Sequence, residues 1–303
     1  MTSFGAVRRL HDDATSAVTT APGRECEIGS DPRHTTMVSQ MLSYLRPVRV
    51  TVAYTALLVA VALTQLALGP RVHNAVVSHI STNLDNLSRG HLGTLVGSAF
   101  VTDGGDIYVL LPGLVCLLAL GEIVWRSGHL VLAFALGHIG ATLIVAAGLA
   151  VAIEAGWLPM SIMHASDVGV SYGAAGVLGA LMAVIPRRWQ PAWAGWWLAV
   201  ALVGTSGSGF TGVGHAVALL LGMALSLRLG SAARWTPARV ILLAVAVAFG
   251  YVMITGSSPV TAVVAAPAGL LVALIAQRGP PRLPKLRSVM AHTPVRQMCL
   301  TTG

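Results

Sequence analysis

What most constrains this chain is a succession of apolar runs, each near the length that crosses a bilayer. A membrane-spanning helix needs roughly 20 predominantly apolar residues. The sequence offers about eight such runs: Val50–Leu68, Ile107–Trp125, Leu130–Ile153, Val168–Ile185, Ala192–Val203, Thr211–Leu227, Val240–Ile254 and Val260–Ile275. The fifth is short and leans on Trp193, Trp196 and Trp197 as an interfacial belt. Only 10% of the residues are charged and 55% are hydrophobic, against about 25% charged in an ordinary soluble domain. The expected fold class is therefore an all-α polytopic membrane protein.

The net charge of +8 does not indicate a nucleic-acid partner, because the Arg residues stand at the ends of apolar runs and not in one patch. Their distribution orients the chain. With the N-terminus inside, the inner loops carry Arg126, Arg187, Arg188, Arg228, Arg234 and Arg239. The C-terminal tail adds Arg278, Arg282, Lys285, Arg287 and Arg296, and the outer loops hold only Arg71 and Arg89. The reading is a multi-pass cell-membrane protein with both termini cytoplasmic, residues 1–45 and 279–303 being polar tails. No apolar signal segment stands in residues 1–45. Cys26, Cys116 and Cys299 suggest no disulfide framework. Residues 69–105 mix Arg71, His73, Asp85 and Arg89 with apolar residues at three- and four-residue spacing, which predicts one or two interfacial helices.

Two polar features interrupt the apolar pattern. One is Asp167-Val168-Gly169-Val170-Ser171-Tyr172-Gly173, opening the fourth run. The other is Gly212-Val213-Gly214-His215, early in the sixth. Both helices run from outside to inside. Ser171 and His215 each lie about four residues past their helix starts, about 6 Å deep at 1.5 Å per residue. A serine and a histidine at equal depth on parallel helices can form a nucleophile–base pair. Small residues beside both permit close backbone approach. Asp167 reads as an N-cap. The bland alternatives are a Ser bonding its own helix and a His serving as a bundle hydrogen-bond partner. His138, within Gly137-His138-Ile139-Gly140, either bonds a neighbouring helix or lines a cavity. Glu122 fits an inner-loop anchor, with Arg126 as a candidate partner. Neither metal-ligand spacing nor a phosphate loop is present, so no metal or cofactor is expected.

These residues resemble the rhomboid family of intramembrane serine proteases. Gly169-Val170-Ser171 matches the G-x-S of its fourth helix, and Gly176, Leu178, Gly179 and Ala180 match the small positions that follow. His215 with Gly222 is similar to the helix-six H-x6-G pattern. Glu122 with Ser127-Gly128 and Leu130 resembles the segment ending helix two, and Ser98-Ala99-Phe100 resembles a first-loop motif. The resemblance covers roughly residues 46–230 and implies a six-helix core. The chain then divides into the 1–45 tail, the 46–230 core, an additional hairpin at 231–278 and the 279–303 tail.

The resemblance implies an intramembrane serine protease that cleaves transmembrane segments. Ser171 would be the nucleophile and His215 the base, and the backbone at Gly169 and Val170 would supply oxyanion donors. Three departures keep a second reading open. Tyr172 replaces the Gly that normally follows the nucleophile. The helix-two H-x-x-x-N would fall near Asp106 and Leu110, and losing one oxyanion donor costs about 10²–10³ in rate. The first-loop Trp-Arg pair is also missing, with Leu92-Gly93 near its place. The alternative is a non-catalytic rhomboid-like protein that binds transmembrane segments. A rival register on Gly173-Ala174-Ala175-Gly176 puts Ala175 in the nucleophile's place, but the downstream glycines favour Ser171. A small transporter is a third reading, disfavoured because no internal repeat of broken helices is evident.

Overall fold

The computed structural model describes residues 46–101, 107–165, 170–230, 235–256 and 258–278, all within one contact unit. The two tails, Asp103, Asp106, Asp167, Gly169 and Arg234 lie outside the described residues. Among the described residues the structure is helical throughout and contains no strand. Four helices are long and apolar enough to cross a membrane by length and composition. They are α1 (Arg49–Leu68), α6 (Ser127–Glu154), α10 (Pro237–Thr255) and α11 (Pro259–Arg278). The other bundle helices are α5 (Ile107–Trp125), α7 (Ser171–Ala180), α8 (Gln190–Ser208) and α9 (Phe210–Ser226). A tight 3-10 turn, Leu181–Val184, extends α7 to the stop at Pro186. The eight expected runs thus each form a helix.

Between α1 and α5 the expected interfacial segment forms three short helices, α2 (Pro70–Ile80), α3 (Leu84–Ser88) and α4 (Thr94–Gly97). Gly69, at φ 83°, makes the sharp turn from α1 into α2 that an L side chain resists. In α2, Val72, Val76, Val77 and Ile80 alternate with Arg71, His73, Asn74, Ser78 and His79 at helical spacing, an amphipathic pattern. Asn83 caps α3 by accepting from Asn86 N–H at 2.8 Å.

The fifth helix is longer than the apolar run that announced it. At its start Gln190 joins, donating from Nε2 to Met182 O and Ile185 O (both 3.1 Å) and so binding α8 to the end of the α7 segment. At its end Thr205 and Ser206 donate to Leu202 O and Val203 O, each at 2.6 Å. These polar residues satisfy themselves on their own helix, so the helix runs past the apolar stretch.

The last two helices take different neighbours. Phe249 of α10 packs against Gly113 of α5, and Gly250 against Leu178 and Trp197. Helix α11 lies along α8, with Gly195 against Val272 and Gly269 against Trp196. A hydrogen bond from Tyr251 O–H to Ala262 O ties α10 to α11.

Candidate functional site

The fourth and sixth helices of the bundle, α7 and α9, run side by side in the same direction through glycine contacts. A side chain at Gly222 would collide with Gly176 O and the Ala180 amide, and one at Gly179 with Leu219 O. On its other side α7 meets α6. A Cβ at Gly137 would sit 2.7 Å from both Gly176 Cα and Tyr172 O, and Gly173 abuts the Phe134 ring. Every described residue of α7 from Tyr172 to Ala180 is buried. These small residues are what let three backbones converge.

Tyr172 and Gly179 of α7 turn towards α9, and Gly176 on the same stripe offers its carbonyl to Gly222 while its side-chain position meets Gly137 of α6. Ser171 stands about 100° further round the helix, on the stripe of Leu178, which lies against Gly250 of α10. The described α7 opens at Ser171 itself, with Val170 preceding it, so Ser171 is not four residues deep. Val170 is buried, and its C=O accepts from Ala174 N–H at 2.9 Å. Gly169 lies outside the described residues, as does Asp167 with its expected cap.

His215 is 4% exposed, and neither ring nitrogen has a hydrogen-bond partner. Its neighbour across the helix contact is Tyr172, whose ring meets the imidazole edge-on at 5.4 Å and an interplanar angle of 87°. The Tyr172 ring also covers Gly214. Ser171 is half-buried and makes no hydrogen bond to His215. The sequence therefore brought the two helices together at the right level, but the side chain that meets His215 is the one after Ser171. Of the expected helix-two donor positions, Asp106 lies outside the described residues, and Leu110 is described only in its helical backbone.

A hydrogen-bonded Ser–His pair occurs elsewhere. Ser98 Oγ and His138 Nε2 are 3.1 Å apart. Ser98 Oγ also accepts from Thr82 Oγ1 at 2.7 Å, and Thr82 Oγ1 lies 3.1 Å from Thr94 O. His138 sits in a wider turn, Leu136–Gly140, that interrupts α6. The run Thr82, Ser98, His138 thus joins three side chains in succession, with the Thr82 hydroxyl donating to Ser98 Oγ and Ser98 Oγ in reach of His138 Nε2. All three side chains are at most 5% exposed. This run works as a strut that ties the α4 segment to α6. Sequence reading noted His138 and the Ser98-Ala99-Phe100 stretch separately. Nothing in a separation of 40 residues pairs them. His138 also lines a cavity of about 340 Å³ with Tyr54, Phe100 and Phe134, so both of its expected roles are realised.

A second polar anchor stands at the start of α1. Glu122 is 2% exposed and accepts from Val50 N–H (2.9 Å), Thr51 N–H (2.8 Å), Thr51 Oγ1 (2.8 Å) and Ser127 Oγ (2.7 Å). A carboxylate at a helix N-terminus satisfies amides with no partner inside the helix. Glu122 thus fixes the start of α1 to the α5–α6 turn. The candidate partner Arg126 supplies the turn itself, at φ 72°, while Ser127 and Thr51 hold the carboxylate.

The lateral face beside α8, a place where an open gap would admit a transmembrane segment, is occupied. Gly204 abuts Ile254 of α10, and Gly195 and Trp196 abut α11. No curated protein and no solved structure matches the chain. The family described as rhomboid-like protein matches residues 43–256, from just before α1 to the end of α10. With about 70% of its length matched, the chain belongs to the rhomboid-like protein family.

Proposed function

We propose that this is a non-catalytic rhomboid-like membrane protein that associates with transmembrane segments. The observation that carries the reading is the Tyr172–His215 contact. The imidazole that would serve as base is buried against a tyrosine ring, and the serine that would serve as nucleophile is on an adjacent stripe of α7. A general base has to come within hydrogen-bond reach of the proton it takes. The Tyr172 ring, edge-on to the imidazole at 5.4 Å, is the neighbour the imidazole has in place of a serine hydroxyl. With the α8 flank covered by α10 and α11, support for segment binding comes from membership of the rhomboid-like protein family, and Leu202, 71% exposed on α8, is the place to probe it. The membrane core is residues 46–230, the 231–278 helices complete the α8 flank, and both tails are cytoplasmic.

The protease reading, with Ser171 as nucleophile and His215 as base, remains the second. It is favoured by the parallel contact of α7 and α9 at this level. The experiment is hydrolysis of a model transmembrane substrate by the purified protein in liposomes. The expected result is no more product from wild type than from Ser171→Ala, and product that depends on both Ser171 and His215 overturns the reading. A photo-crosslinker at position 202 tests association, the expected outcome being adducts with single-span membrane proteins that a crosslinker at Leu220 does not give. Reporter fusions at residue 303 test the topology, with cytoplasmic signal expected.

A further inference from the structure

The first helix is buried at only Thr51, Leu58 and Gln65, and the space beside its outer half is structured. A cavity of about 450 Å³ lies between α1, α2 and the Gly97–Val101 segment. Its α1 wall includes Leu57, Val61, Gln65 and Leu68, and its α2 wall Val72 and Val76. This size falls in the range of small-molecule sites, about 300–1,000 Å³. Leu57, Leu68 and Val72 are 48%, 58% and 37% exposed, so the walls reach the outer surface of the bundle and the cavity communicates with lipid.

Two polar side chains stand in this apolar lining: Thr64, whose hydroxyl donates to Ala60 O on its own helix, and Gln65. Gln65 is 7% exposed, and its Nε2 has no hydrogen-bond partner. An unpaired buried amide costs free energy anywhere, and inside a bilayer it lacks the usual relief from water. The terminal torsion of a glutamine is broad, so the amide can turn its NH2 towards an acceptor that enters the cavity.

Position identifies the acceptor. Gln65 lies about 4.5 Å below the end of α1 at Leu68. Immediately beyond comes α2, whose amphipathic pattern sets it along the headgroup boundary. Gln65 is therefore about one helical turn beneath headgroup level, where glycerolipids carry their acyl ester carbonyls. A single turn of helix, about 10 Å across and 5.4 Å tall, would fill roughly 420 Å³, nearly the whole cavity, so it is the position at the ester level that favours a lipid. One extended hydrocarbon chain fits. From these observations we infer that the cavity between α1 and α2 binds one acyl chain of a glycerolipid, with the Gln65 amide donating to its ester carbonyl.

The test uses the full chain in phosphatidylglycerol vesicles doped with a lipid carrying a photoactivatable diazirine on one acyl chain near the ester. After irradiation, adducts are mapped by peptide mass spectrometry. The expected adducts concentrate on Val61, Val76 and their neighbours in the cavity wall. Unlabelled ester lipid should compete about three- to tenfold better than the diether lipid of the same chains, the factor one hydrogen bond supplies. Gln65→Leu should abolish that preference while keeping the adducts. Val61→Phe, which fills the cavity, should remove them, and Leu66→Phe, on the 71% exposed side of α1, should not. Melting curves verify that each variant is folded. Adducts no denser in the cavity wall than around Leu66, indicating surface lipid only, overturn the inference. So does equal competition by ester and ether lipid in the wild type, which indicates that water or nothing meets Gln65.

Discussion

A shift of one residue separates a Ser–His dyad from the arrangement in this chain. Ser171 and Tyr172 are neighbours in sequence but stand about 100° apart around α7, and α9 meets only one of them. The local residues decide which. Gly176 and Gly179, on the Tyr172 stripe, are where α9 comes closest, and a helix rotates as a rigid unit once its glycines are engaged. The sequence displayed both stripes, Ser171-Ala174-Ala175-Leu178 and Gly173-Gly176 among them. It did not display which one faces α9, because small residues line both. The same limit hid the Ser98–His138 pair, which arises from a loop folding back on α6. Glu122 was legible as an anchor, but its donors were not, since backbone amides carry no sequence signature. Removing that acceptor should cost about 3 kcal/mol, as expected for several hydrogen bonds to a charged group. Thermal unfolding of Glu122→Ala in detergent checks this, and Arg126→Ala, which removes no ligand of the carboxylate, should lose less.

At the scale of elements, the α7–α9 contact is built from absence of side chain. Gly222 lies against Gly176 O and Ala180 N, and a methyl group has nowhere to go. Gly222→Val should destabilise the protein by about 3 kcal/mol or more, since backbone cannot yield as a flexible side chain does. Gly148, which has open space around it, provides the comparison, and Gly148→Val should leave the melting temperature within the error of measurement. Size-exclusion profiles and melting curves of the pair read the difference. Element existence was the most legible layer of this fold. All eight apolar runs became helices because a bilayer leaves their backbones no other partner. Element ends were less legible. The α8 helix runs on through Thr205 and Ser206, whose hydroxyls return to their own backbone, whereas the apolar run ends at Val203.

At the scale of the molecule, the two C-terminal helices are part of the bundle's wall. Helix α10 closes on α5, α7 and α8, and α11 covers the other flank of α8. Deleting residues 259–303 uncovers Gly195, Trp196 and Val200, apolar surface that α11 now shields. The truncated protein should lose its monodisperse peak in mild detergent, whereas deletion of 279–303 alone should not. The family match ends at residue 256, so α11 lies beyond the part that is shared. The central claim concerns the relation of Ser171 to His215, and reactivity tests it most directly. Purified protein is treated with a fluorophosphonate probe beside an active rhomboid control, comparing wild type, Ser171→Ala and His215→Ala. With Tyr172 seated against the imidazole, well-folded wild type should label no more than either variant. Labelling of the wild type that disappears in both variants would show a working nucleophile and base, and would contradict the non-catalytic reading.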